Sequence, residues 1–290
     1  MPSVVIAAHN EEQVINATLD ALLEQQGQAP LEIIVIANGC SDQTASVARR
    51  PGVVVVDRPE PGKGAALNAG DEIATTFPRI YLDADIVVPR DGVTKILERL
   101  EHDSRVLAVV PSRRVDKAGR PSIVRAYSAI YERLPVFRNG LFGRGMIALS
   151  EEGRARFGAF PLMIADDLFL DSLFSEAEKV ETRDVVVTIE APYTTRDLFR
   201  RLVRVRRGNA EMRAASVAGE IDVSVRHSDR WAWMRDVVRH EPWLAPATVP
   251  YLVLTFGAAV MARRHPKAGH AWGRDESTRT GTLTGRPQTS

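Results

Sequence analysis

The sequence predicts an α/β fold in which a mostly parallel sheet is flanked by helices, with a helical C-terminal extension. Short runs of β-branched residues alternate with helical patterns through the first 110 residues. The runs are almost continuously apolar, which is typical of strands that are covered on both faces. With 44% hydrophobic and 26% charged residues, the 290-residue chain also has the composition of a globular protein with a sizeable core.

The first half contains the more regular pattern. Predicted strands are Ser3–Ala8, Glu32–Ala37, Val53–Asp57, Arg79–Leu82 and Val106–Val110. The first helix is expected to begin after Asn10 as its N-cap, because apolar residues from Ile15 to Leu23 recur at helical spacing. Further helix starts are expected near Ser41-Asp42, after Gly64 and near Asp91.

The second half is less regular. Predicted strands are Gly140–Leu149 and Val185–Glu190, and predicted helices are Asp166–Ser175 and an arginine-rich Asp197–Ala215. The uncharged stretch Leu244–Ala262 has about the length that crosses a bilayer, roughly 20 apolar residues. Because Pro246 and Pro250 weaken a straight spanning helix, a spanning, an interfacial and a buried helix all remain open.

We therefore expect one large domain over residues 1–215, with a first half of about 1–110 and a second of about 111–215. Residues 216–268 form a helical extension in this interpretation. The last segment, 269–290, is rich in Gly, Ser, Thr and charge, so we expect a disordered tail.

Charge and cysteine content exclude several classes of protein. Basic and acidic residues number 38 and 37, so a nucleic-acid binder that relies on bulk electrostatics is not expected. Cys40 is the single cysteine, which excludes an intrachain disulfide framework. The N-terminus does not resemble a signal peptide, and a cytoplasmic location, with membrane association through residues 244–262 left open, is expected.

Four polar segments follow the first four predicted strands. They are His9-Asn10-Glu11, Asn38-Gly39-Cys40-Ser41-Asp42, the stretch from Asp57 through Gly62-Lys63-Gly64, and Asp83-Ala84-Asp85. Because ligands bind at the carboxyl ends of strands in open α/β sheets, we expect these segments to share one rim. Asp83 and Asp85, at i and i+2 of an extended segment, would point the same way and suit a hard divalent cation beside a diphosphate. An Asp-rich turn is the alternative.

Three other features each have two interpretations. The stretch Gly62–Gly70 lets backbone approach a ligand closely, or it is a flexible loop that caps a helix. Asp166-Asp167 contains a general base, or it caps the following helix. Arg200, Arg204 and Arg207 share a helix face that suits a diphosphate, an anionic membrane surface or plain solvation.

Taken in order, these motifs resemble the family 2 glycosyltransferases, which have the GT-A fold, a Rossmann-like sheet. The resemblance covers about Ser3 to Gly208. It includes Val5-Ile6-Ala7-Ala8-His9-Asn10-Glu11-Glu12, Asn38-Gly39-Cys40-Ser41-Asp42-Gln43-Thr44, the G-x-G-x-x-x-N-x-G-like segment from Gly62 to Gly70, the Asp-x-Asp at Asp83–Asp85, and Asp166-Asp167 in place of a frequent Glu-Asp.

The resemblance implies a role for each matching residue. The implied donor-binding set is Ala8, Glu11, Asn38, Lys63, Asp83, Ala84 and Arg207. Asp85, with Asp83, is implied to ligate Mg²⁺ or Mn²⁺. Asp167 is implied to be the catalytic base. Ala37 stands where the family often has Asp, and Asn38 can still accept a hydrogen bond from a uracil N–H, so a UDP-sugar is the favoured donor.

The implied activity is metal-dependent transfer of a sugar from a nucleotide-diphosphate sugar to a hydroxyl of a glycan, lipid-linked or small-molecule acceptor. Inverting single displacement is expected. The processive synthases' Gln-x-x-Arg-Trp motif is absent, which favours single-sugar transfer. A retaining transferase that makes a small glycoside, a sugar nucleotidyltransferase and a non-catalytic nucleotide-sugar binding protein are the alternatives.

Overall fold

One sheet positions the predicted site. The structure is a computed structural model that describes residues 1–25, 30–226 and 228–264. Over these ranges it contains seven strands, β1 (Ser3–Ala8), β2 (Glu32–Asn38), β3 (Val53–Arg58), β4 (Arg79–Asp83), β5 (Ala108–Asp116), β6 (Met146–Leu149) and β7 (Lys179–Glu190). Their order across the sheet is β3-β2-β1-β4-β6-β5-β7.

The strand directions divide the sheet into two parts. Strands β1 to β4 are mutually parallel, whereas β6 runs antiparallel to both β4 and β5. Strand β7 is parallel to β5. The carboxyl ends of β1 to β4 therefore meet at one edge, as the sequence predicts.

Helices cover both faces of the sheet. They are α1 (Ile15–Leu23), α2 (Thr44–Ala48), α3 (Lys63–Ile73), α4 (Gly92–His102), α5 (Ser122–Tyr131), α6 (Val136–Asn139), α7 (Glu151–Arg154), α8 (Asp166–Leu173), α9 (Thr195–Ala218) and α10 (Thr248–Arg264). On β1, Val4 and Ile6 pack into one apolar cluster while Val5 and Ala7 pack into another. Burial on both faces explains why the strands read as continuous apolar runs.

A third apolar cluster joins α5, α9 and α10 beside the sheet. Tyr127 of α5 stacks on Tyr251 of α10 with ring centroids 5.3 Å apart. A π-helical turn (Trp233–Val238) and a 3₁₀ segment (Pro242–Ala247) precede α10. Among the described residues, the stretch Pro242–Arg264 is the one with the length and composition to cross a membrane, and 22% of its apolar window is buried.

The strand predictions of the first half are confirmed to within one residue for β1 to β4. The N-cap prediction for Asn10 is wrong. Asn10 has a φ of +54°, and its Oδ1 accepts a hydrogen bond from the Ser41 N–H at 2.8 Å. Its side chain thus bonds to the next loop, and α1 begins five residues later, at Ile15.

The boundaries predicted for the second half need correction. The strand expected over Gly140–Leu149 is limited to Met146–Leu149, because Gly143 and Gly145 take φ values of +58° and +66°. Strands β5 and β7 are longer than expected because they pair with each other along their lengths. The predicted disordered tail, 269–290, lies outside the described residues, and the division at residues 215 and 268 stays a prediction.

Helix α3 packs against β1 through Gly70. A Cβ at Gly70 would come closer than van der Waals contact to Cγ1 of the fully buried Val5. We expect Gly70→Ala to lower the free energy of unfolding by about 1–3 kcal/mol, since overpacking forces side chains or backbone to shift. Urea denaturation measures this change.

Gly158→Ala is the matched control, because a Cβ there would meet nothing within 4 Å. We expect the control to change the unfolding free energy by less than about 0.5 kcal/mol. Equal stabilities of the two variants would contradict the packing explanation.

Candidate functional site

The polar loops after β1 to β4 are linked at one rim. His9 Nδ1 lies 2.6 Å from the Asn38 carbonyl oxygen. Asn38 Oδ1 in turn accepts a hydrogen bond from the Gly62 N–H at 3.1 Å. Next to Gly62, the Lys63 ammonium lies 2.7 Å from Asp83 Oδ1. These contacts join the four segments that the sequence places on a common edge.

Lys63 is the centre of the charged part of this rim. Its Nζ lies 2.7 Å from Asp83 Oδ1 and also 2.7 Å from Asp166 Oδ2. Burial alone would lower the pKa of Lys63, but the negative charges of Asp166, Asp83 and Asp167 raise it well above its ordinary value. Lys63 is therefore a permanent cation that connects the Asp-x-Asp segment to the Asp-Asp segment.

Asp167 has a different environment from its neighbour. Its Oδ2 accepts a hydrogen bond from the Gly143 N–H at 2.9 Å. Burial, followed by repulsion from Asp166, raises the pKa of Asp167 to about 7, although Lys63 acts in the opposite direction. A carboxylate that exchanges its proton near neutral pH suits general base catalysis.

The turn from Gly143 to Gly145 contacts both acidic segments. While the Gly143 N–H bonds to Asp167, the Gly145 carbonyl accepts a hydrogen bond from the Asp83 N–H at 2.7 Å. Arg113 Nη1 donates to the Gly143 carbonyl at 3.3 Å, and the Arg113 guanidinium stacks on the Phe137 ring at 3.6 Å. Backbone groups of one short turn thus fix Asp83 relative to Asp167.

Helix α3 holds the segment that leads into α8. Asn68 makes two hydrogen bonds to the backbone of Phe160, donating to its carbonyl at 3.0 Å and accepting from its N–H at 2.7 Å. A Cβ at Gly64 would collide with the Pro161 carbonyl, so only glycine permits this approach. The motif from Gly62 to Gly70 therefore positions the segment before Asp166 as well as the rim.

The Asp-x-Asp pair lies where β4 ends. Asp83 is the last residue of β4, and Ala84 and Asp85 form a turn, so the predicted extended conformation is wrong for Asp85. Ala84 is buried, and its carbonyl accepts a hydrogen bond from Thr18 Oγ1 at 2.8 Å. The carboxylate of Asp83 is 41% exposed and Asp85 is exposed, so both acidic residues reach solvent beside the rim.

The carboxylate oxygens of Asp83 and Asp85 are chemically of the kind that hard divalent ions bind. Within residues 1–25, 30–226 and 228–264, no group of three or more His, Cys, Asp or Glu side chains is arranged for a metal. Two carboxylates leave most coordination positions for phosphate oxygens and water, which is the arrangement that Mg²⁺ prefers. Asp83 Oδ1 is engaged with the Lys63 ammonium.

The remaining donor-binding predictions fall on buried or partly buried positions. Ala8, Glu11 and Asn38 are buried. The Asn38 amide donates to the Ala8 carbonyl at 2.8 Å, so this amide group bonds within the protein. Arg207 lies on α9 directly before Gly208, which touches the backbone of Ile164 just ahead of Asp166. Their roles toward a donor stay predictions.

The family follows from a comparison with known proteins. A model of glycosyl transferase family 2 matches residues 3–158, more than half of the 290 residues. The chain belongs to this family. This family 2 member is 29% identical over 167 residues to the 4,4'-diaponeurosporenoate glycosyltransferase of Staphylococcus aureus strain USA300. That match covers 54% of the chain and 41% of the relative, so the chain spans about two fifths of the relative's length.

Solved structures share the GT-A glycosyltransferase fold of this family 2 member. A mannosyltransferase from Pyrobaculum calidifontis in complex with GDP-Man and Mn²⁺ has a TM-score of 0.60 at 22% identity, covering 91% of this chain and 78% of that one. Residues 1–349 of TarS from S. aureus in complex with UDP give a TM-score of 0.50 at 13% identity, covering 91% of each chain. At these identities the likeness establishes the fold.

Sequence reasoning about this family 2 member did not anticipate three contacts of the site. Asp166 pairs with Lys63, Gly143 donates to Asp167, and Arg113 holds the Gly143 carbonyl. The signal for the turn was the Gly-Arg-Gly sequence at 143–145, which contradicts a continuous strand. No local pattern indicates Arg113, because its partner is distant in sequence.

The raised pKa of Asp167 predicts a pH-dependent stability difference. Asp167 has a pKa of about 7 in the folded state, whereas the unfolded state has the ordinary value of about 4. The contribution of Asp167 to the free energy of unfolding is therefore lost as pH rises from about 4 to about 7. Asp167→Asn removes this titration while still accepting from Gly143. We expect the variant to match the wild type below pH 4 and to be more stable by about 1–2 kcal/mol at pH 8, after allowance for partial solvent screening.

Chemical denaturation at a series of pH values measures this difference. Asp166→Asn is the control with the opposite sign, because it removes a direct ion-pair partner of Lys63 and should destabilise the protein at pH 8. A stability difference between Asp167→Asn and wild type that does not change with pH would contradict the assigned pKa.

Proposed function

We propose that this chain transfers a single sugar from a nucleotide-diphosphate sugar to an acceptor hydroxyl by inverting displacement. The observation that carries the proposal is the Lys63 bridge. It brings the Asp-x-Asp segment, suited to a diphosphate-bound metal, next to the carboxyl pair that contains the base. Family membership supports the same chemistry.

Asp167 is the base in this proposal. Its Oδ2 is held by the Gly143 N–H, and we assign Oδ1 to the proton of the acceptor hydroxyl. With its pKa raised to about 7 by burial and by Asp166, the carboxylate is ionised above neutral pH and still basic enough to take that proton. The acceptor oxygen then attacks the anomeric carbon from the face opposite the diphosphate, and the carbon–oxygen bond to the diphosphate breaks.

The donor diphosphate is assigned to the rim beside Asp83 and Asp85. These two residues would hold Mg²⁺ or Mn²⁺, which when bound supplies neutralisation of the diphosphate charge. Lys63 and Arg207 are the cations assigned to the leaving group. The Nε of Arg207 is shielded from solvent and has no hydrogen-bond partner among the described residues, so a bound anion would satisfy a buried donor there.

The donor and acceptor are proposed as classes. A UDP-sugar is the first donor to test, with Ala8, Glu11, Asn38 and Ala84 beside the nucleoside. A GDP-sugar is the second, since the mannosyltransferase neighbour contains GDP-Man and the TarS neighbour contains UDP. A glycan or lipid-linked hydroxyl is the acceptor class. Melting-temperature shifts with each nucleotide sugar and Mn²⁺ would identify the donor, because a ligand of the native state raises the melting temperature.

Loss of the Asp167 carboxylate should separate catalysis from donor binding. We expect Asp167→Asn to lower kcat by about 10²–10⁴-fold, the usual contribution of a general base, and to leave the donor-induced melting-temperature shift unchanged. Asp184→Asn, which removes an exposed carboxylate of β7, is the control and should retain wild-type kcat.

Wild-type turnover by Asp167→Asn would remove Asp167 from the role of base. The anomeric configuration of the product, determined by NMR, tests the displacement separately. A product that keeps the anomeric configuration of the donor would establish the retaining alternative. If neither the wild type nor the variant hydrolyses or transfers the donor sugar, the result would support a binding protein without catalysis.

Removal of divalent metal should abolish turnover. We expect excess EDTA to reduce activity to background and Mn²⁺ or Mg²⁺ to restore it, because the diphosphate leaves poorly without charge neutralisation. Binding of Mn²⁺, followed by electron paramagnetic resonance, should weaken in Asp85→Asn. Undiminished activity in EDTA together with unchanged Mn²⁺ binding by that variant would contradict the metal assignment.

A further inference from the structure

The outer face of α10 is apolar where a helix of a soluble protein is usually polar. Val249, Val253, Phe256 and Val260 recur at spacings of four, three and four residues, which places them on one helix face. Their exposed fractions are 65%, 65%, 65% and 49%. No charged residue lies between Thr248 and Ala262, so nothing on this face is suited to water.

The opposite face of α10 is occupied by the protein itself. Tyr251, Leu254 and Ala258 are buried in the apolar cluster shared with α5 and α9. Spanning a bilayer would pull these side chains out of that cluster, and arginine-rich α9 cannot follow them into hydrocarbon. The helix therefore has one face buried in the protein and an outer face that no residue within 1–25, 30–226 or 228–264 covers.

The residues that precede and end α10 along the chain are of the types found at a lipid–water interface. Trp243 and Trp231 are 70% and 55% exposed in the segment that leads into α10, and exposed tryptophans are favoured at the level of lipid headgroups. Between residues 230 and 264 the chain has five arginines and two acidic residues. The exposed Arg263 and Arg264 end the helix at the border of its apolar face.

Among the described residues, none covers this exposed face. Residues 265–290 contain four apolar residues, Ala268, Ala271, Trp272 and Leu283, too few to form a second apolar layer. We propose that the outer face of α10 docks on an anionic phospholipid bilayer, with the helix axis in the membrane plane and the arginines among the headgroups.

A membrane-docking surface would place the enzyme next to a lipid-linked acceptor. This assignment of the acceptor rests on the proposed function, whereas the docking itself does not. Phe199 of α9 contacts α10 at Gly257, and Gly208 of the same helix contacts Ile164 beside the Asp166-Asp167 segment. The two contacts are separated by about 14 Å along α9, at 1.5 Å per residue. One continuous helix thus connects the lipid-facing element to the carboxyl pair, which suits a lipid-linked acceptor.

Flotation of the full-length chain with vesicles tests the surface. We expect binding to phosphatidylcholine vesicles that contain 30% phosphatidylglycerol, weaker binding to pure phosphatidylcholine, and loss of affinity at high salt. Val253→Asp combined with Phe256→Asp should reduce the partition coefficient about tenfold or more, since two apolar contacts become charged. Arg263→Gln combined with Arg264→Gln should reduce it on anionic vesicles about fivefold per arginine.

Val54→Asp combined with Val217→Asp is the matched control, because it adds the same charge at exposed valines away from α10. Unchanged circular dichroism and melting temperature establish that each variant is folded. The assay contains neither donor nor acceptor, and a preserved melting-temperature shift with nucleotide sugar in the α10 variant separates lipid docking from the transfer reaction.

Three outcomes would overturn the proposal. One is wild-type flotation by the Val253→Asp, Phe256→Asp variant. Another is a lipid-independent dimer in sedimentation velocity that this variant dissociates, with no vesicle binding by the wild type, which would make a second copy the occupant. The third is resistance of the membrane-bound protein to extraction by alkaline carbonate, which would identify a spanning helix.

Discussion

The Lys63 ammonium supports the rest of the site, because three carboxyl groups converge on it from two distant parts of the chain. Asp83 ends β4, whereas Asp166 and Asp167 begin α8. Without a cation between them, these groups would repel one another and would resist burial. The lysine offsets that repulsion, and it does so from the first turn of α3, a helix that packs on β1.

The stretch from Gly62 to Gly70 has more than one purpose. Gly64 and Asn68 fix the backbone at Phe160 and Pro161, and Gly70 permits contact with Val5. A glycine-rich stretch whose sequence suggests a ligand-binding loop therefore also packs two parts of the fold together. The flexible-loop interpretation is wrong for residues 63–70, which lie in α3, and the approach of this backbone to a ligand stays a prediction.

Local patterns suffice to locate strands β1 to β4 and do not suffice for β5 and β7. Strands β1, β2 and β4 are buried on both faces, and the edge strand β3 is partly buried, so apolar runs and turn residues locate them closely. The lengths of β5 and β7 depend on pairing between segments about 70 residues apart, which no local pattern contains. Asn10 is likewise of a residue type that often caps helices. Its side chain instead accepts a hydrogen bond from the Ser41 N–H in the next loop, and this contact determines its conformation.

The predictability of the site follows the same division. Asn38, Lys63 and Asp83 follow neighbouring parallel strands, so their positions in the sheet bring them together. The motifs in the sequence are enough to predict this proximity. The contribution of Arg113 and of the Gly143 N–H arises from tertiary packing of a turn between two strands. Every residue other than proline has the same backbone donor and acceptor groups, so the sequence does not indicate which of them will contact the site. Only the folded structure identifies them.

The turn from Gly143 to Gly145 has a consequence for the diversity of acceptors. One amide and one carbonyl of this turn hold Asp167 and Asp83 in place. In the proposed function, Asp83 lies on the donor side and Asp167 on the acceptor side. Substitutions that leave this turn intact therefore keep the separation of the two residues, so in that proposal acceptor specificity can change without rebuilding the acidic pair.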